Sequence, residues 1–239
     1  MARASRLALA GELHYLLQRG HNRQSVFADD LDRDSYLTML RDAARQYGVA
    51  IHAYALLDAE VHLLATPREA ESLSRLMQSL GRRYVAAFNR RHGRSGTLWE
   101  GRFRAGLVEA ASLGLEAMIH VESQPVRAGL AGAAGEWPWS SAAHHLGRRR
   151  DALVTEHSSY WSLGNTPFER ESAHAYKLGN GLPAALALRF DRAVMQGRAA
   201  GSAAFGAQVE ERTGQPQQPR SRGRPVSLAN RVSTKTVPN

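Results

Sequence analysis

The spacing of apolar positions in this chain switches repeatedly between a period of two and a period near 3.6, and each switch marks an element. Leu13 to Gln18 (LHYLLQ) reads as a short strand running into the turn-like polar stretch Arg19-Gly20-His21-Asn22. Asp29 and Asp30 open a helix whose apolar positions Leu37, Leu40, Ala44 and Tyr47 recur at helical spacing, with Gly48 as its stop. Val49 to Leu57 is strand-like, Asp58-Ala59 a turn, and Glu60 to Thr66 (EVHLLAT) the hairpin partner. Alternation there places Glu60, His62, Leu64 and Thr66 on one face and Val61, Leu63 and Ala65 on the other.

A longer helix is expected from about Glu69 to Arg91, with Leu73, Leu76, Leu80, Tyr84 and Phe88 as its apolar stripe and Arg75, Arg82, Arg83 and Arg90 on its other side. Tyr84, being on the stripe, is read as core. Gly101 to Glu109 suggests a fourth strand, and Ser112 to about Ser123 a helix that Pro125 ends. This order predicts an α+β fold: an antiparallel sheet with helices packed on one face. Beyond Trp137-Pro138-Trp139 the periodicity weakens, although residues 167–212 predict a small helical region. The expected organisation is therefore an α+β domain over 1–130, a helical extension over 131–215 and a disordered basic tail over 216–239.

Composition narrows the class. The chain has no cysteine, which removes disulfides, cysteine-ligated zinc and thiol nucleophiles and suits a reducing cytoplasm. It has no apolar run of membrane-spanning length, and Leu7 to Gly11 is too short for a signal-peptide core. A cytoplasmic protein without membrane association is expected. The net charge is +9, and Lys177 and Lys235 are the only lysines among the 31 basic residues. Charge is also segregated: residues 75–104 hold eight arginines against Glu100 alone, and 216–239 hold four arginines and Lys235 against no acid. The rest of the chain is net negative. Arginine concentrated in this way points to a polyanion, because its guanidinium forks onto phosphate and stacks on bases.

The blocks LHYLLQRG at 13–20, EVHLL at 60–64, RYVAAFN at 83–89, GTLWEGRF at 96–103, QPVRAGL at 124–130, WPWSSA at 137–142 and GNTPFERE at 164–171 resemble the REP-associated tyrosine transposases. These are single-strand transposases related to the insertion-sequence 200/605 type. The resemblance implies a ferredoxin-like sheet, a His-hydrophobe-His pair on one strand holding a divalent metal, and a helix-borne tyrosine that attacks a phosphate of single-stranded or hairpin DNA. It also implies a third, amide ligand four residues beyond the nucleophile.

Two positions depart from that pattern. Glu60 stands where the first histidine is expected, leaving His62, and His120 stands where the tyrosine is expected; Gln124 matches the amide ligand. A carboxylate suits Mg²⁺ or Mn²⁺ as well as imidazole does, so the resemblance implies a metal set of Glu60, His62 and Gln124. A neutral imidazole can attack phosphorus to give a phosphoramidate, which makes His120 the candidate nucleophile, with an ordinary polar helix residue as the alternative. Arg19, Arg82, Arg83, Arg90, Arg91, Arg102 and Arg104 are the candidate DNA-binding residues, with Trp99 and Phe103 as stacking surfaces among them, although Trp99 equally suits a core position. In the tail, Arg222 and Arg224 flank Gly223 in an AT-hook-like Arg-Gly-Arg-Pro. Three functions remain open: strand cleavage and rejoining on repeated or hairpin DNA, DNA binding on a catalytically silent scaffold, and an RNA-binding module on the same sheet.

Overall fold

The structure, a computed structural model, describes residues 7–217. Strands β1 (Leu13–Arg19), β2 (Val49–Leu56), β3 (Glu60–Pro67), β4 (Arg104–Val108) and the two-residue β5 (Ala199–Ala200) form one sheet in the order β2-β3-β1-β4-β5. The first four pair antiparallel; β5 joins β4 in parallel. Helices α1 (Asp30–Tyr47) and α2 (Ser72–Arg91) make the crossovers, giving the ferredoxin-like order strand, helix, strand, strand, helix, strand. Local chemistry sets the ends of α1. The Asp29 carboxylate accepts the Asp32 N–H, and Gly48 closes the helix at φ 62°, where only glycine is unstrained.

Seven further helices follow: α3 (Ala110–Glu122), α4 (Gln124–Arg127), α5 (Ala142–His145), α6 (Ser158–Trp161), α7 (Pro167–Asn180), α8 (Ala184–Gln196) and α9 (Ala203–Thr213). The expectation of helices on one face describes α1 and α2, which bury Leu16, Ile51, Leu56 and Leu63 of the sheet. The opposite face is covered as well. Tyr15, Leu17, Ala53, Ala55 and Leu64 pack against α3 and α8, because β1 and β2 are apolar at both alternating sets of positions. Close approach of α8 depends on Gly106 of β4: a Cβ there would sit 2.9 Å from the Ala193 backbone carbon.

The edge strand β2 is also protected. Leu56 N–H donates to Trp139 O (2.9 Å), Ser141 N–H to Tyr54 O (3.0 Å) and Thr155 N–H to Ile51 O (2.7 Å), so the segment after α4 occupies hydrogen-bonding positions that an open edge would expose. Residues 117–122 of α3 are all buried. This helix is enclosed on both sides, by the sheet and by the C-terminal helices, and that sandwiching decides where its polar residues point.

Candidate functional site at the junction of sheet and helix α3

The register Leu17↔His62 between β1 and β3 puts Tyr15 and His62 on the sheet face that α3 covers. Their rings stack at 5.9 Å and the Tyr15 hydroxyl lies 2.6 Å from His62 Nδ1. Burial, with the charges of Asp191 and Glu60, pushes the phenol pKa well up, so Tyr15 keeps its proton. The other nitrogen, His62 Nε2, is buried without a hydrogen-bond partner and lies 3.3 Å from Glu60 Oε2. Glu60 Oε1 is in ion-pair contact with Arg19 Nε at 2.8 Å. Burial raises the Glu60 pKa, but the facing His62 and Arg19 outweigh it and hold the carboxyl below its ordinary value.

His120, in the last turn of α3, meets the same tyrosine edge-on, with ring centroids 5.3 Å apart. Its Nε2 is 3.1 Å from Asp191 Oδ1, and Arg127 Nη1 is 3.3 Å from Nδ1, while Arg127 Nη2 donates to Asp191 Oδ2 at 2.9 Å. The Arg127 guanidinium donates and the Asp191 carboxylate accepts, which favours the tautomer with Nδ1 accepting and the proton on Nε2, where the Gln124 amide nitrogen also lies at 3.0 Å. Burial lowers the His120 pKa; Arg127 and His62 lower it further, against the opposing pull of Asp191. The ring is neutral. Asp191, raised by burial but held by His120 and Arg127, drops to about 2. Gln124 stands one turn on and donates its amide to the His120 carbonyl at 3.0 Å.

Tyr15 thus lies between two of the predicted pairs, Glu60 with His62 on β3 and His120 with Gln124 at the end of α3, with Arg127 and Asp191 added from α4 and α8. Tyr15 was visible in the sequence only as a hydroxyl-bearing residue on a core-facing strand position. Asp191 had no signal, being 71 residues from its partner His120.

The arginines separate into two groups. Arg82, Arg83, Arg90, Arg91, Arg102 and Arg104 are all exposed, and three of them are engaged as well. Arg91 is engaged by Asp29 and Asp32, Arg83 lies 3.6 Å from Asp42, and Arg104 donates to Met195 O at 3.2 Å. Trp99 and Phe103 are not stacking surfaces: both are buried in the core between α1, α2 and the sheet. Tyr84 is core as expected, its hydroxyl donating to Val26 O at 2.6 Å. Arg222 and Arg224 lie outside the described residues.

A second polar group lies on the far side of α3. Glu122 is about 200° around the helix from His120, so it points away from the sheet. His145 Nδ1 of α5 and His174 Nε2 of α7 approach its two oxygens at 2.6 and 2.7 Å, and Ser141 Oγ donates at 2.5 Å. All four residues are fully buried. Among the described residues this is the one group of three acid or imidazole side chains near enough to one another to hold a metal ion, their ligand atoms lying within 4.8 Å. Each imidazole donates to the carboxylate, and the remaining nitrogens, His145 Nε2 and His174 Nδ1, are buried without partners, as suits lone pairs rather than N–H groups. No local spacing marks this group, since His145 and His174 are 23 and 52 residues from Glu122.

Fold and geometry together define a ferredoxin-like α+β domain with an acid–imidazole pair on a central strand facing an imidazole–amide pair on a helix. Residues 12–119 match the family model described as transposase IS200 like. The match stops one residue before His120. Among solved structures, a REP-associated tyrosine transposase bound to a REP hairpin is 15% identical, with 66% of this chain and 99% of that one covered and a TM-score of 0.51. A Deinococcus radiodurans R1 protein described as a transposase is 22% identical, with 55% and 100% covered and a TM-score of 0.35. Among curated proteins none matches. Among the described residues, no helix is long and apolar enough to cross a membrane.

Proposed function

We propose that this protein is a REP-associated transposase that binds repeated or hairpin single-stranded DNA and cuts and rejoins one strand through His120. The observation that carries this reading is the placement of Tyr15 between the pair Glu60 and His62 and the pair His120 and Gln124. The exposed Arg82, Arg90 and Arg102 supply phosphate contacts, and Arg222 and Arg224 of the tail extend them. His62 Nε2 and the Glu60 carboxylate, 3.3 Å apart, would hold a divalent ion, Mg²⁺ or Mn²⁺, in place of their mutual contact, with the Gln124 amide oxygen as a further ligand. The chemistry such an ion would supply there is polarisation of the scissile phosphate.

The chain's own groups supply the rest. A DNA phosphate competes with His120 and Asp191 for Arg127, and as Arg127 turns to it the Nδ1 lone pair is uncovered. Nδ1 forms a bond to phosphorus as the bond to the leaving sugar oxygen breaks, and that oxygen takes a proton from solvent. Asp191, holding the Nε2 proton, offsets the positive charge that grows on the ring.

A second reading, DNA binding without cleavage, draws on the full burial of His120 and the guanidinium over Nδ1. RNA reading by the sheet is disfavoured, since both faces are covered. Labelled single-stranded hairpin oligonucleotides with Mn²⁺, resolved on denaturing gels, separate the first two. Cleavage and an acid-labile protein–DNA link, both lost in His120→Ala by on the order of 10⁶ in rate, support the enzyme. Salt-sensitive binding without cleavage, with cutting appearing only in His120→Tyr or with Glu60→His added, establishes the silent scaffold.

A further inference from the structure

Behind His120, away from Tyr15, lies a cavity of about 740 Å³ formed by the end of α3, α4, residues 132–135 and the facing parts of α7 and α8. Its volume falls within the roughly 300–1,000 Å³ of pockets that take small ligands. One end is polar and belongs to the site already described: His120, Arg127 and Asp191. Arg148 adds a second guanidinium, so the lining is net cationic. The remaining wall is apolar and built from short side chains such as Ala175 and Ala187 together with Leu178 and Leu188, which leaves broad, flat surfaces. Two of the lining residues, Val126 (38% exposed) and Leu188 (46%), are among the few large apolar side chains left open to solvent among the described residues. Apolar surface at the mouth of a cationic pocket suits a ligand with an aromatic face and an attached negative charge.

We propose that this cavity receives one unstacked nucleobase of the DNA strand, the base belonging to the nucleotide whose phosphate Arg127 engages. The inference rests on the proposed function, because that reading puts the phosphate at Arg127. A phosphate there lies at the polar end of the cavity, and its own base is the nearest group able to enter it. The base stacks on the wall of Ala175, Ala187 and Leu188. Its edge meets Asp191 and Arg148, an acceptor and a donor that between them satisfy the polar rim of a base. The pocket thereby fixes which nucleotide stands beside His120, a selection that the sheet and the exposed arginines of α2 do not make.

The test uses the full chain and a set of hairpin oligonucleotides in which each single-stranded position in turn is made abasic, with affinity read by fluorescence anisotropy. One position should lose about 10- to 100-fold, roughly the cost of withdrawing one buried apolar group from its pocket. Ala175→Trp, on an exposed position of α7, fills the pocket and should bind the intact strand as weakly as wild type binds that abasic strand, erasing the difference between them. Leu188→Glu should do the same through charge, giving a second variant should the first misfold. 2-Aminopurine at the sensitive position should change its emission on binding wild type and not on binding either variant. A flat abasic scan with salt-dependent binding intact overturns the pocket and leaves the DNA-binding reading standing. A position-specific penalty that persists unchanged in both folded variants also overturns it. Failure of the wild-type chain to bind any strand overturns both.

Discussion

Removing the Glu122 carboxylate tests how the C-terminal helices are held to the α+β sheet domain. In Glu122→Ala the donors of His145 and His174, at 2.6 and 2.7 Å in the wild type, lose their acceptor inside a site with no access to water. Ser141 Oγ still accepts from Tyr54 N–H at 3.0 Å, but its own proton is left with a long contact of 3.4 Å to Tyr54 O. An orphaned buried donor costs about 1–3 kcal/mol, and breaking a buried charged network by removing one member costs about 3–5 kcal/mol, so the two routes agree on roughly 3–5 kcal/mol. For a chain of this length that corresponds to a fall in Tm of about 6–20 °C. Urea and thermal unfolding followed by circular dichroism give the number, with Ser141→Ala, which removes one donor and leaves the imidazoles paired, costing about 1–2 kcal/mol. A loss below about 1 kcal/mol in Glu122→Ala would refute the reasoning. So would a wild-type Tm that falls on treatment with a chelator, since a metal rather than protons would then be holding the cluster.

The exposed arginines predict a salt dependence: log affinity for single-stranded DNA against log salt should have a slope of very roughly −5, and Arg82→Ala, Arg90→Ala and Arg102→Ala together should reduce its magnitude by about 2, checked by anisotropy across a salt series. Stability should also fall as the medium is acidified from about pH 6.5 to pH 4, because burial lowers the pKa of both His14 and His52 to about 4 while the unfolded chain takes up protons near the ordinary value. A depressed histidine contributes stability that is present above the unfolded pKa and lost as pH drops to the folded one, at most roughly 3 kcal/mol each, and His52→Asn should flatten the slope of stability against pH. Finally, Gly106→Val should cost about 1–3 kcal/mol in urea unfolding, since its Cβ would press on the α8 backbone at 2.9 Å, an overpacking that side-chain rotation cannot relieve.

The parts of the site legible in the sequence were those fixed by local periodicity. A strand's period of two was enough to put Glu60 and His62 on one face, and a helix's turn was enough to bring Gln124 back beside His120. The same local rules placed α1, α2 and the first four strands, and located Tyr84 in the core. They are silent on which of two faces a neighbouring element covers. Trp99 and Phe103 sit among arginines in sequence and look like a stacking surface, but the loop carrying them folds back over the core, and burying two large rings outweighs their polar neighbours.

By itself, then, the sequence determined a ferredoxin-like α+β frame, an arginine-rich surface and a short set of polar residues at transposase positions, because each follows from spacing along a strand or helix or from composition. Only the tertiary structure decided how those residues are used. Tyr15 joins His62 to His120, Asp191 and Arg127 set the proton on the His120 ring, and Glu122 turns away to bind His145 and His174. These contacts link positions 23 to 105 residues apart, apart from the Arg127 contact seven residues on. No local period connects them. They exist because α3 is packed on both sides, against the sheet on one and the C-terminal helices on the other, so that each polar group it carries had to find its partner in whichever wall it faces.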